Sequence, residues 1–166
     1  MALRTIITLP NPNLRIKATR VPKVDDSTRQ LMDDMVETMK DAPGIGLAAT
    51  QIDVHLRVIV MDVDDKVYHV ANPEIVRSEG EQIGYEGCLS IPSVFGEVKR
   101  AEKVVMKGLD RNGKAIRIKG EGLLARCMQH EVDHLDGILF TDLADPTTLT
   151  DERPDEEDEA EPELVG

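Results

Sequence analysis

The chain has few of the features that would tie it to a disulfide framework, a membrane or a nucleic acid. Its 166 residues include two tyrosines, two phenylalanines and no tryptophan, so aliphatic residues and methionine must build the core. Two cysteines, Cys88 and Cys127, are a weak disulfide framework for a chain this long. No apolar run approaches the roughly 18 residues of a membrane span. The basic, aromatic-rich surface of a nucleic-acid-binding protein is also missing.

The charge of the chain is strongly uneven. The net charge is -12, and residues 151–166 carry nine acidic residues and one arginine, which leaves -4 for the rest. We expect one domain over residues 1–146 and an acidic, disordered tail over residues 147–166. The N-terminal segment lacks the apolar region of a signal peptide. We therefore expect a cytoplasmic protein with reduced thiols and with neither membrane nor specific nucleic-acid partners.

Hydrophobic spacing predicts two helices around a set of strands. A first helix should begin near Asp25–Ser27 and end near Lys40, and a second should cover residues 121–136 and stop at Gly137. Strands are predicted over residues 56–63, 67–70, 75–78, 98–109 and 115–119, the last two regions joined by an Asn-Gly hairpin turn. Neighbouring strands that pair antiparallel, with helices before and after them, favour a single α+β domain.

The second helix carries the strongest chemical signal, His130-Glu131-Val132-Asp133-His134. Residues i and i+4 lie on one face of a helix, so the two imidazoles can share a metal ion. Glu131 is then placed to move a proton on water whose pKa the metal lowers. Two surface histidines on a charged helix are the alternative interpretation.

The third metal ligand distinguishes the classes of enzyme that use this motif. A catalytic metal needs three protein ligands and an open position. One class of proteases with this motif uses a third histidine, and here that position is Phe140, which cannot bind metal. Another class uses a downstream acidic residue as the third ligand, and no acid after His134 lies on a convincing second helix. Cys127 lies seven residues, or about 10.5 Å of helix, before His134, so a metal held by both histidines would be beyond the short reach of its side chain, and it is interpreted as a packing residue. Cys88 lies in a non-helical stretch from which its thiolate can point at the helix.

Three segments together resemble the peptide deformylase family. These are Gly-Ile-Gly-Leu-Ala-Ala-Thr-Gln (44–51), Glu-Gly-Cys-Leu-Ser (86–90) and Gln-His-Glu-Val-Asp-His (129–134), in the family's order and at about its spacing. The segments Arg-Ala-Glu-Lys-Val (100–104) and Asp-Gly-Ile-Leu-Phe (136–140) are also similar. The resemblance covers residues 5–143 and implies mostly antiparallel sheets packed around a central helix that carries the histidine motif.

The resemblance also implies a reaction and a role for each site residue. The reaction is hydrolysis of the formyl group from the N-terminal formyl-methionine of new polypeptides, with release of formate. Cys88, His130 and His134 would bind one divalent metal ion, with Fe(II) expected and Zn, Ni or Co able to substitute. Water on the metal would attack the formyl carbon with Glu131 as general acid and base. The Gln51 amide and the Leu89 backbone N–H would stabilise the oxyanion.

Substrate and partner expectations follow from the same resemblance. The methionine side chain should lie near Ile45, Leu123, Cys127 and His130, with the stem of Arg126 beside it and its charged head reaching solvent. The peptide backbone should pair near Ile45 and Gly46 in the manner of an added strand. An acidic tail stands where many bacterial relatives have a basic ribosome-docking helix, so ribosome association is expected to be transient. A peptide-bond metalloprotease and a non-catalytic metal-binding domain are the alternatives.

Overall fold

The computed structural model describes residues 2–152, which form helices on both sides of a central sheet. In chain order the elements are α1 (Asp26–Asp41), β1 (Gly46–Ala48), β2 (Val58–Val63), β3 (Lys66–Glu79), β4 (Gln82–Cys88), β5 (Ile91–Arg100), β6 (Lys103–Leu109), β7 (Ala115–Glu121), α2 (Leu123–Leu135) and α3 (Phe140–Leu143). Short 3-10 segments lie at Pro12–Arg15, Ala49–Ile52 and Pro146–Thr148.

The strands form two antiparallel sheets. One has the order β1-β2-β3-β6-β7, and the other is the β4-β5 hairpin. Strand β1 therefore lies at an edge of the larger sheet. The predicted α+β class with mostly antiparallel pairing is confirmed, and so is the Asn-Gly hairpin, in which Leu109 faces Ala115 across the turn.

Strand β2 lies between the two long helices and joins the two halves of the core. Ile59 and Met61 pack in the cluster that contains α2, whereas Val58 and Val60 pack in the cluster that contains α1. Side chains alternate between the two faces of a strand, so a strand buried on both faces requires a continuous apolar run. Nine residues of α2 are buried, which makes it the central helix of the domain.

Helix α1 begins where the sequence predicted, because Asp25 caps it. The Asp25 carboxylate accepts a hydrogen bond of 3.0 Å from the Thr28 backbone N–H, and the Thr28 hydroxyl interacts with the Asp25 backbone N–H in return. Met32, Met35 and Met39 of this helix are fully buried, as expected from their helical spacing.

Helix α2 ends at Leu135, two residues before the glycine that was predicted to stop it, and the reason is both conformational and steric. Gly137 has a φ of 75°, a left-handed conformation that side-chain-bearing residues rarely adopt. A Cβ atom at this position would lie 2.5 Å from the carbonyl oxygen of Arg15, and the Arg15 guanidinium donates a hydrogen bond to the Gly137 carbonyl. The glycine therefore holds the N-terminal segment against the end of α2.

The β4-β5 hairpin is the part of the fold that the sequence analysis missed. Residues 82–97 were not assigned to strands, and one strand was expected over residues 98–109. That region is divided instead, since β5 ends at Arg100 and β6 begins at Lys103. Gly84, Gly87, Pro92 and Gly96 interrupt the hydrophobic alternation of the hairpin, which removes the usual strand signal.

The chain remains in contact with the domain beyond the expected boundary after residue 146. Pro146–Thr148 forms a 3-10 turn, and Thr150 pairs with Phe95 of β5. Residues 153–166, most of the expected tail, lie outside the described residues. No helix between residues 2 and 152 combines the length and apolarity of a membrane span.

The contact at Gly137 predicts the effect of two substitutions. Gly137→Ala should lower the free energy of unfolding by more than the roughly 1–2 kcal/mol of a left-handed alanine, because the Cβ also overlaps the Arg15 backbone. Gly137→Asn should recover little of this loss, since asparagine tolerates the left-handed backbone but has the same Cβ. Urea unfolding of the metal-free proteins measures both values. Near-native stability of Gly137→Asn would contradict the close approach.

Candidate metal centre

Helix α2 places both histidines of the motif on its buried face. His130 and His134 are each 1% exposed, and their ring centroids lie 5.0 Å apart. Phe140, at the position where the sequence argument excluded a third histidine, stacks against the His130 ring at a centroid distance of 6.1 Å. The two imidazoles are thus held in a fixed relation by the helix and by packing.

Strand β4 brings Cys88 to these histidines. The register of the hairpin shifts between Gly87 and Cys88, at the end of the strand. The Cys88 Sγ lies 3.3 Å from Nε2 of His134, and one ligand atom from each of Cys88, His130 and His134 falls within 4.8 Å of the others. The structure therefore brings together the three residues expected to bind metal.

Glu131 follows His130 in α2, and its carboxylate lies next to Gly46 of β1. It is fully buried, and among the residues that the structure describes neither of its carboxylate oxygens has a hydrogen-bond partner. Burial raises the pKa of Glu131 to about 8. The absence of a side chain at Gly46 of β1 makes space for the Glu131 carboxylate. A Cβ atom at this position would overlap Oε2 of Glu131 and lie 2.8 Å from the Cys127 sulfur. A buried carboxylate without a partner indicates a place for a further polar group.

The side-chain amide of Gln51 has a defined orientation beside the cysteine. Its Oε1 accepts a hydrogen bond of 2.9 Å from the Ala48 backbone N–H, so its Nε2 faces the other way. Nε2 donates to the Ser90 hydroxyl at 3.0 Å and lies 3.7 Å from the Cys88 sulfur. Leu89, the other expected oxyanion donor, is half-buried between Cys88 and Ser90.

A buried carboxylate, Glu86, supports His130 from behind. Its Oε1 lies 2.7 Å from His130 Nδ1 and 2.9 Å from Arg100 Nη2, and its Oε2 lies 2.9 Å from Arg100 Nε and 2.6 Å from Arg126 Nη1. Arg100 also pairs with Asp133 at 2.6 Å. Burial alone would raise the pKa of Glu86, but the hydrogen bonds from His130 and Arg100 hold it well below its usual range. Nδ1 of His130 therefore carries the proton, which leaves Nε2 for a metal.

The sequence analysis missed this support. Glu86 and Arg100 both stood in segments quoted for their resemblance, but neither was given a role. A charged residue in a predicted strand is usually assumed to face solvent, and no spacing rule links residues 14 positions apart in a hairpin that was not recognised. The signal available in the sequence was the pair of opposite charges at Glu86 and Arg100, the first of them two residues from the candidate ligand Cys88.

The prediction for Arg126 was wrong. Its charged head was expected to reach solvent, but the side chain is 6% exposed and its Nη1 binds Glu86 and, at 3.2 Å, the Val98 carbonyl. The negative charge of the buried Glu86 favours an inward guanidinium, because an isolated buried carboxylate would be costly.

The residues expected to contact the substrate are brought only partly together. The Cys127 sulfur lies 3.7 Å from the Ile45 carbonyl and close to Gly46. Leu123 lies at the first turn of α2 and is 40% exposed. Burial, followed by the charges of Glu131 and Glu86, raises the pKa of the Cys127 thiol well above its ordinary value, which keeps it neutral.

The residues present fit a catalytic divalent metal. One thiol and two imidazoles are the ligand types of zinc and several other first-row ions, and three protein ligands leave a position for water. The buried carboxylate of Glu131, adjacent to His130 in the chain, has no hydrogen-bond partner in the part of the chain that the structure describes. A structural site would instead present a fourth protein ligand, and in residues 2–152 only Cys88, His130 and His134 form such a group.

Known proteins show the same organisation over nearly the whole chain. The family model for polypeptide deformylases matches residues 3–149. The chain is 52% identical over 160 residues to a peptide deformylase of Dehalococcoides mccartyi strain CBDB1, covering 95% of this chain and 96% of that protein. It is 47% identical over 175 residues to that of Thermomicrobium roseum, covering 100% and 99%.

Solved structures agree with these sequence relatives. The crystal structure of a peptide deformylase from Legionella pneumophila has a TM-score of 0.84 at 50% identity and covers 88% of each chain. That of Ehrlichia chaffeensis, in complex with actinonin, has a TM-score of 0.86 at 39% identity and covers 89% of this chain and 91% of that one. The chain therefore belongs to the polypeptide deformylase family, metal-dependent hydrolases that remove the N-formyl group from newly made polypeptides.

Proposed function

We propose that Cys88, His130 and His134 hold the divalent metal of a deformylase and that Glu131 is its proton-transfer residue. The metal would supply the Lewis acidity that activates water for attack on the formyl carbon. The observation that carries the proposal is the buried carboxylate of Glu131, which has no hydrogen-bond partner among residues 2–152, together with three residues that offer one ligand atom each.

Glu131 accepts a proton from water and later delivers it to the amine nitrogen of the departing methionine. A pKa raised to about 8 by burial suits a group that must both accept and donate near neutral pH. The apolar packing around α2 limits access of bulk water, which keeps that proton within the site.

Gln51 and Leu89 stabilise the oxygen that becomes negative as the formyl carbon turns tetrahedral. The Ala48 N–H fixes the oxygen end of the Gln51 amide, so the orientation of Nε2 does not have to change during the reaction. An amide N–H and a backbone N–H are neutral donors, and they do not compete with the thiolate for the metal.

The methionine side chain lies against Ile45, Leu123 and Cys127, and the peptide backbone pairs with the edge of β1 near Gly46. The position of β1 at the edge of the five-stranded sheet supports this, because a free edge offers its backbone groups to an added strand. Gly46, next to Glu131, lets the substrate backbone approach the reacting group.

The metal in the cell is Fe(II), with Zn, Ni or Co able to take its place, and the enzyme works in the cytoplasm on nascent chains that begin with formyl-methionine. Its ribosome association is transient. The net charge of -8 over residues 151–166 supports this, since an acidic segment is repelled by ribosomal RNA within a screening length of about 8 Å.

One assay tests the proposed function against the alternatives. Purified metal-loaded protein mixed with formyl-Met-Ala-Ser should release formate and no free amino acids. A peptidase would release amino acids from unformylated Met-Ala-Ser, and a non-catalytic domain would release neither product.

Replacing the proton-transfer group separates chemistry from metal binding. Glu131→Gln should keep stoichiometric metal, because all three proposed ligands remain. It should lose about 10²–10⁴-fold in kcat, the usual contribution of a positioned acid and base. Metal analysis and formate release on the same sample give both values, and near-normal turnover would exclude Glu131 as the proton carrier.

The two cysteines should behave in opposite ways. Cys88→Ala should lose most of its metal affinity and its turnover, because one of three ligands is gone. Cys127→Ala should keep its metal, since the wild-type thiol stays neutral and packs against Ile45, and should at most change the KM for formyl-methionine peptides. Metal content after dialysis decides between them, and the reverse pattern would refute the ligand assignment.

The identity of the metal predicts a dependence on oxygen. Protein reconstituted anaerobically with Fe(II) should be highly active and lose activity in air, as the iron and the Cys88 thiolate oxidise. Zinc-loaded protein should survive the same exposure. An inactive Fe(II) form beside a rapid zinc form would show that iron is not the working metal.

A further inference from the structure

Asp151, the first residue of the acidic stretch, lines a cleft that also contains Cys88. The other lining residues are mostly apolar: Ile6, Ala42, Leu89, Pro92, Ser93 and Phe95. The cleft therefore connects the candidate metal centre with the point at which the acidic stretch begins.

The position of Asp151 is fixed by the segment before it. The Asp145 N–H donates to the Glu97 carbonyl at 2.9 Å, and Phe95 and Thr150 exchange backbone hydrogen bonds of 2.8 and 2.9 Å. Leu149 fills the space over Gly96, where a Cβ would lie 2.7 Å from its Cδ2 atom. The chain thus runs antiparallel along the edge of β5, and its next residue faces the cleft.

Asp151 determines the sign of the charge in this cleft. Among the described residues that line the cleft it is the one charged side chain, and it is exposed. Lys40 and Asp41, which precede Ala42 in the chain, carry opposite charges, and the Arg4 guanidinium pairs with Asp34 at 3.0 and 2.8 Å. None of the residues between 2 and 152 that line the cleft is a cation that could balance the Asp151 carboxylate.

We propose that Asp151 makes this enzyme prefer formylated peptides with basic residues after the methionine over peptides with acidic residues there. The inference rests on the proposed function, because it takes the cleft beside Cys88 and Leu89 as the path of the substrate. A peptide whose formyl group lies at the metal centre must extend along the cleft, and its next side chains pass the Asp151 carboxylate.

The size of the effect follows from Coulomb's law at a solvated surface. One unit charge acting on another about 6–8 Å away in a watery environment changes affinity by about two- to threefold. The ratio of kcat/KM for a lysine peptide to kcat/KM for a glutamate peptide contains this factor twice, because the carboxylate attracts one peptide and repels the other. One carboxylate should therefore change the ratio by about four- to tenfold. Salt should reduce the ratio, since the screening length falls to about 3 Å at 1 M ionic strength.

The test compares kcat/KM for formyl-Met-Ala-Lys and formyl-Met-Ala-Glu, both with amidated C-termini, on the full metal-loaded chain. The wild type should favour the lysine peptide at low salt and lose the preference at 1 M salt. Asp151→Asn should reduce the ratio by about four- to tenfold, and Asp151→Lys should reduce it further. A chain ended after Glu152 measures what the later acidic residues add.

A matched control removes the same charge elsewhere. Asp26→Asn changes an exposed carboxylate at the far end of α1, roughly 24 Å along the helix from Ala42, and should leave the ratio unchanged. Equal rates for the two peptides in the wild type would overturn the inference while the proposed function stands. A preference that survives in both Asp151 variants but disappears in the shortened chain would also overturn it. Failure to release formate from any formylated peptide would overturn both.

Discussion

The buried carboxylate of Glu86 is the group on which the rest of the site depends. It accepts four hydrogen bonds, from His130, Arg126 and twice from Arg100. An ionised carboxylate has about four acceptor positions, so this group is saturated and no neutral side chain of the same shape could replace it. The arrangement joins β4, β5 and α2, the three elements from which the proposed metal ligands and their supports come. Removing one partner of such a buried pair usually costs about 3–5 kcal/mol, because the other charge is left uncompensated.

This network explains how one thiol and two imidazoles are held close together in a defined orientation inside the core. Glu86 fixes the protonated nitrogen of His130, and the hairpin that carries Glu86 also carries Cys88 two residues later. On the other side of α2, Gly46 of β1 leaves space for the Glu131 carboxylate. Backbone geometry therefore leaves room for the proposed proton-transfer group, Glu131, while the proposed metal ligand next to it, His130, is held by charge.

The sequence was informative where function depends on spacing and uninformative where it depends on long-range pairing. The i, i+4 histidines, the capped start of α1 at Asp25 and the Asn-Gly turn are local signals, and each predicted element is present. The β4-β5 hairpin was missed because its glycines interrupt the alternation. With it were missed the burial of Arg126 and the roles of Glu86 and Arg100, since these depend on which strands pair. Which residues hold the metal and carry the proton was suggested by family resemblance, and the geometry supports the suggestion.

The most direct test of this account is the metal affinity of Glu86→Gln, measured by chelator competition together with urea unfolding. Glu81→Gln, which alters an exposed carboxylate just before β4, is the matched control. With Cys88, His130 and His134 intact, Glu86→Gln should bind the metal about 10- to 100-fold more weakly, because His130 loses its orienting partner. It should also unfold at lower urea than the control. Unchanged metal affinity and unchanged stability in Glu86→Gln would contradict the claim that this carboxylate holds the site together.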